Sequence, residues 1–122
     1  MKAIILTAHG SRSDESNQEV IALAEKLKDA SAVRAEIVIA AFLDIAKPSI
    51  AEAVTSCAER GATDIMILPY FLNSGRHVRR DIPAVIEECR KHYPGVRITI
   101  GSHLGASELI AELLIKIASA ID

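Results

Sequence analysis

Residues 3–12 read AIILTAHGSR, and this stretch decides how the remainder of the chain folds. Residues 3–8 are almost continuously apolar and β-branched, which suits a strand covered on both faces at the middle of a parallel sheet. The run stops at His9-Gly10, so a polar side chain stands just past the carboxyl end of that strand. Downstream, Val20, Leu23, Ala24 and Leu27 recur at three- and four-residue spacing, which predicts an amphipathic helix capped by Asp14 or Ser16. Residues 36–43 return to Ile, Val and Ala as a second strand. The passage FLDIAKPSI (42–50) then leads to a helix with Pro48 near its first turn, an apolar face of Ile50, Val54 and Cys57, and Gly61 at its close.

The same alternation continues. Residues 64–69 form a third strand, and Ile82, Val85, Ile86 and Cys89 mark a third helix that Tyr93, Pro94 and Gly95 terminate. Residues 96–100 make a short fourth strand, with a last helix from about Ser107. Four strand-helix units joined by right-handed crossovers predict an α/β fold, a three-layer doubly wound arrangement around a mainly parallel four-stranded sheet of order 2-1-3-4. The 122 residues suffice for one domain, 1–122.

Composition narrows the functional classes. A formal net charge of -2 gives no global basic field, so no nucleic-acid partner is expected. The longest apolar stretches fall well short of the roughly 20 residues that span a bilayer. No signal-like segment opens the chain, and the expectation is a cytoplasmic protein without a membrane partner. Cys57 and Cys89 each sit among apolar neighbours in a helical pattern, as core thiols do. Hydrophobic residues make up 50% of the chain, and the last helix is apolar at Leu109, Ile110, Leu113, Leu114, Ile115, Ile117 and Ile121. That is wider than one sheet face needs: either part of the helix meets another subunit, or the helix lies deeper in its own core.

The predicted topology brings the loops after Ala8, Phe42, Pro69 and Ile100 to one sheet edge, where open α/β sheets bind ligands. His9, Asp44 and His77 belong to these loops, and His77 lies in YFLNSGRHVRRDIP (70–83), longer than a connector requires. Imidazole and carboxylate together favour a divalent transition metal such as cobalt, nickel, iron or zinc over magnesium or calcium. The histidines belong to no compact signature, and a strand-end histidine also serves as an ordinary hydrogen-bonding loop residue. Two other readings use the same residues: a carrier that binds its cargo without turnover, and a phosphoryl-transfer enzyme with a histidine nucleophile. The second lacks the arginine before HG that such phosphatases carry, and no Walker A or GxGxxG loop is present.

Four segments in order, AIILTAHGSR (3–12), FLDIAKPSIAEAV (42–54), IMILPYFLNSGRHVRRDIP (65–83) and LGASELIAELL (104–114), resemble the small single-domain sirohydrochlorin chelatases, the CbiX-type class II chelatase family. The resemblance spans nearly the full chain. It implies an enzyme, a lyase that inserts Co2+, Fe2+ or Ni2+ as substrate into the reduced tetrapyrrole sirohydrochlorin with no organic cofactor, and that works as a homodimer. It also implies that His9 and His77 are catalytic and bind the metal, with Asp44 as a further ligand where many relatives have glutamate. The chain lacks the histidine and proline of the LGxHP-like segment common before the final helix, and the histidine-rich insertion of some nickel-inserting relatives. A flat ring edged with carboxylates needs an apolar slot and a cationic rim. Phe71, Leu72 and Val78 are candidates for the slot and Arg12 and Arg76 for the rim, with Ser11 as a hydrogen-bond donor and Gly75 as a turn beside His77. Arg79 and Arg80 read more simply as the solvated start of a helix.

Overall fold

In a computed structural model that describes residues 1–121, the elements follow the expected alternation. They are β1 (Lys2–Ala8), α1 (Asp14–Asp29), β2 (Ile37–Phe42), α2 (Ile50–Glu59), β3 (Asp64–Pro69), α3 (Ile82–His92), β4 (Arg97–Ile100) and α4 (Leu109–Ala118). A π-helical turn, His77–Asp81, precedes α3, and a 3-10 turn, Leu104–Ala106, precedes α4. The sheet is parallel throughout, in the order β2-β1-β3-β4.

Strand alternation sorts the core into two layers. Ala3, Ile5, Ile37, Ala41, Ile65, Ile67 and Ile98 face α2 and α3, where Ile50, Val54, Cys57, Ile82, Ile86 and Cys89 meet them. Leu6, Ala8, Val38, Ala40 and Phe42 face the other way, against Val20 and Ala24 of α1. Cys57 and Cys89 are thus buried core thiols, and desolvation pushes both above the ordinary thiol range. The layers are unequally filled. On the α1 side of β3, Met66 remains 42% exposed although its strand lies between β1 and β4. A strand in the middle of a parallel sheet normally has both faces covered, so part of this face lacks its layer.

The helix ends correct several expectations. Helix α1 begins at Asp14 with Ser13 as its cap residue, so neither Asp14 nor Ser16 caps it. No side chain bonds this helix end; instead the Ser11 hydroxyl accepts the Ser13 N–H. Pro48 lies ahead of α2, where its carbonyl accepts the Phe42 N–H at 2.9 Å. The cap of α2 is Ser49, which accepts the Glu52 N–H while Glu52 reaches back to the Ser49 N–H, a closed capping box. Those bonds, the Ser49 backbone N–H foremost, hold the Glu52 carboxyl below its usual range. Ser49→Ala is expected to cost about 1 kcal/mol, read as a lower urea midpoint with an unchanged slope.

Helix α4 removes one of the two alternatives left open by its breadth. None of its residues is buried, and Leu109, Leu114, Ile115 and Ile117 are each more than 60% exposed. The helix does not enter its own core. No helix of the described residues is long and apolar enough to cross a membrane.

Candidate metal centre

The carboxyl ends of β1 and β3 bring the two loop histidines together. The rings of His9 and His77, 68 residues apart in sequence by their numbers, lie with centroids 4.5 Å apart, tilted by 56°. His9 is half-buried at the end of β1, and its Nδ1 is 3.2 Å from the Gly10 carbonyl oxygen. His77 is exposed and opens the π-helical turn, with its Nδ1 2.8 Å from Asp81 Oδ2. A carbonyl oxygen and an ionised carboxylate only accept, so these bonds put the hydrogen of each ring on Nδ1 and leave the Nε2 lone pair for a ligand.

The loop that carries His9 is pinned from both sides. Leu43 and Asp44 donate their N–H groups to the carbonyls of Ala8 and His9, each at 2.9 Å, which extends the β1–β2 pairing past the strand ends. Gly10 adopts φ 100°, and its Cα faces the Asp44 carbonyl so closely that a methyl there would collide with it. Further along, Asn17 exchanges two hydrogen bonds with the Ser11 backbone: its Oδ1 accepts the N–H at 2.9 Å and its Nδ2 donates to the carbonyl at 2.8 Å. Asn17 is one of two buried polar residues among the described residues, and it locks the loop to the start of α1. The sequence reading passed over it; the available signal was a polar side chain three residues before Val20 on an otherwise apolar face.

Asp44 stands beside His9 in the backbone but is not gathered into the imidazole pair. Its Oδ1 accepts the Ile45 N–H at 2.8 Å. The chain turns tightly there, with Ile45 at φ 67° and the Ala46 N–H donated to the Asp44 carbonyl at 2.7 Å. A β-branched residue in the left-handed region is strained, and such strain collects at functional loops. Among the described residues, no set of three His, Cys, Asp or Glu side chains is arranged to hold an ion. The structure therefore brings together two of the three expected donors.

The other expected contacts divide. Leu72 is exposed and Val78 half-buried, while Phe71, expected in the slot, packs against the core on the α2–α3 side. Ser11 accepts the Ser13 N–H with one lone pair of its hydroxyl oxygen and keeps a hydrogen to donate. Gly75 has open space where a side chain would stand, so no close approach demands glycine there. With Ser74, Arg76, Arg79 and Arg80 it lines a cavity of about 470 Å³ next to His77 in sequence. Arg79 and Arg80, read above as a solvated helix start, are exposed and also part of that wall. Arg12 lies outside it. Among the described residues none of these four arginines enters a salt bridge, so their charge is uncompensated. A second cavity, about 430 Å³, is apolar and lies between Leu23 and Leu27 of α1, Leu68 and Tyr70 at the end of β3, Leu104, and Leu113 of α4.

An open parallel sheet with paired imidazoles at its carboxyl edge and unpaired arginines alongside defines an α/β protein of the doubly wound class. The chain belongs to the CbiX family, whose model matches residues 3–120. It is 34% identical over 116 residues to a sirohydrochlorin ferrochelatase of Priestia megaterium, covering 95% of this chain and 43% of that one. It is also 34% identical over 122 residues to a sirohydrochlorin cobaltochelatase of Saccharolobus solfataricus, covering 95% and 92%. The crystal structure of the sirohydrochlorin chelatase SirB from Bacillus subtilis subspecies spizizenii in complex with cobalt superposes with a TM-score of 0.87 at 31% identity, over 98% of this chain and 50% of SirB. The chain thus spans less than half the length of the Priestia relative and about half of SirB.

Proposed function

We propose that this protein is a sirohydrochlorin chelatase, inserting Co2+, Fe2+ or Ni2+ into the tetrapyrrole as a cytoplasmic enzyme. The observation that carries the proposal is the 4.5 Å approach of the His9 and His77 rings at the sheet edge. Two neutral nitrogen donors hold a divalent ion while leaving most of its coordination positions open, as a site must that hands its ion on. The ring supplies nitrogens to those positions, and two pyrrole protons leave as the ion enters, so charge balances. An imidazole that has lost the ion is a proton acceptor suited to neutral pH. Arg76, with Arg79 and Arg80, presents planar cations to the carboxylates at the ring edge, and exposed Leu72 with Val78 offers apolar surface to its face. Arg12 and Ser11 serve the same substrate from the His9 side, and Asp44, whose Oδ1 accepts the Ile45 N–H, keeps Oδ2 to offer the ion. Names of relatives in both the iron and cobalt classes support the reaction. Mixing purified protein with sirohydrochlorin and cobalt or ferrous iron tests it: the absorbance change should exceed the uncatalysed rate with many turnovers per protomer. A single stoichiometric change would instead identify a carrier.

The functional unit is a homodimer. Its support is the combination of an apolar helix with no buried residue, an incompletely covered sheet face at Met66, and a relative of about twice the length. Helix α4 of a second copy fits the apolar cavity between α1 and the end of β3, where Leu113 already marks the rim. Leu114→Glu with Ile117→Glu should convert the species sedimenting at twice the protomer mass into monomer at micromolar concentration. If the wild type itself sediments as monomer, the homodimer reading fails.

A further inference from the structure

We propose that Asp81 is a positioning residue, which fixes the tautomer of His77 so that its Nε2 lone pair faces the ion. The inference rests on the reading of His77 as a metal donor. Asp81 follows His77 by four residues on one helical turn, and its Oδ2 lies 2.8 Å from Nδ1. The turn is π-helical: the Ile82 N–H reaches back to the His77 carbonyl rather than to that of Val78. A neutral imidazole carries one N–H. The ionised carboxylate has no hydrogen to give, so the N–H must be at Nδ1 and the lone pair at Nε2. Both side chains are partly exposed, at 46% and 39%, so packing alone does not hold the ring. The carboxylate supplies the restraint, and a carboxylate behind an imidazole also makes it a better donor. His9 obtains the same tautomer from the Gly10 carbonyl, a backbone group that no side-chain substitution removes. Asp81 is therefore the half of this arrangement that mutation can reach.

Asparagine at position 81 offers either an acceptor oxygen or a donor nitrogen, so Asp81→Asn should release the tautomer, whereas Asp81→Glu keeps a carboxylate within reach. The test is long-range 1H–15N correlation of the metal-free protein at about pH 8, where imidazoles are mostly neutral, together with a cobalt titration. In the wild type His77 should show a protonated Nδ1 and an unprotonated Nε2. Asp81→Asn should populate the other tautomer and weaken cobalt binding about 10- to 100-fold, with an unchanged far-UV spectrum, and Asp81→Glu should restore most of both. An unchanged His77 tautomer in Asp81→Asn overturns the proposal, as does cobalt affinity within about two-fold of wild type once the tautomer has shifted. Absence of sirohydrochlorin turnover in the wild type would fail the functional reading and leave the tautomer result standing.

Discussion

His9→Ala and His77→Ala are each expected to reduce the rate of metal insertion by about 100-fold or more, with the fold retained. Each substitution removes one of only two donors that the described residues bring together, so the remaining imidazole cannot define where the ion sits. Neither ring belongs to the two core layers, which are built of apolar side chains. Thermal midpoints should accordingly move little. On the proposal that the two rings act on one ion, their losses should not add: the double variant should be scarcely slower than the worse single variant. Following the absorbance of sirohydrochlorin with cobalt in all three variants checks this. A single variant turning over at close to the wild-type rate would remove that histidine from the site.

The second large effect concerns folding. Gly10→Ala is expected to destabilise the protein by about 3 kcal/mol, combining the cost of a left-handed residue with a shift of packed backbone. Gly10 sits at φ 100°, and the added methyl collides with the carbonyl of Asp44, which the β1–β2 pairing holds in place. The strain falls on the residue next to His9, so metallation should decline in the fraction that still folds. Gly75→Ala is the matched control. Nothing approaches the position of its added methyl, and the change should stay within about 0.5 kcal/mol. Urea unfolding of both variants decides the point, and equal midpoints would contradict the proposed packing of Gly10.

Strand composition made the sheet readable. Residues 64–69 were delimited as a strand by β-branched and apolar residues between Gly61 and Pro69, and the structure gives Asp64–Pro69. Order 2-1-3-4 followed from right-handed crossovers and a first strand apolar enough to lie inside the sheet. His9 and His77 were visible for the same reason, since a polar residue that ends an apolar strand must emerge at the sheet edge. What stayed hidden depended on side-chain direction. Asp44 was expected to join the histidines because its loop shares their edge, but a local bond to Ile45 turns its carboxylate aside. Phe71 was expected in a ligand slot, and the chain after Pro69 instead directs it back to the core. Asp81 stayed hidden because HVRRD read only as the solvated start of a helix, and a charged residue there carries no sign of a partner; the π-helical turn is what sets its carboxylate against His77. The breadth of α4 signalled surplus apolar surface without saying where it would go, since apolar breadth alone does not distinguish a helix buried in its own core from one left exposed on the protomer.

Anomalous diffraction from crystals of the protein grown with cobalt, collected on both sides of the cobalt absorption edge, addresses the central claim most directly. A peak between the two rings, about 2.1 Å from Nε2 of both His9 and His77, is the predicted result. A cobalt peak at any other position, with the space between these rings empty, would contradict it.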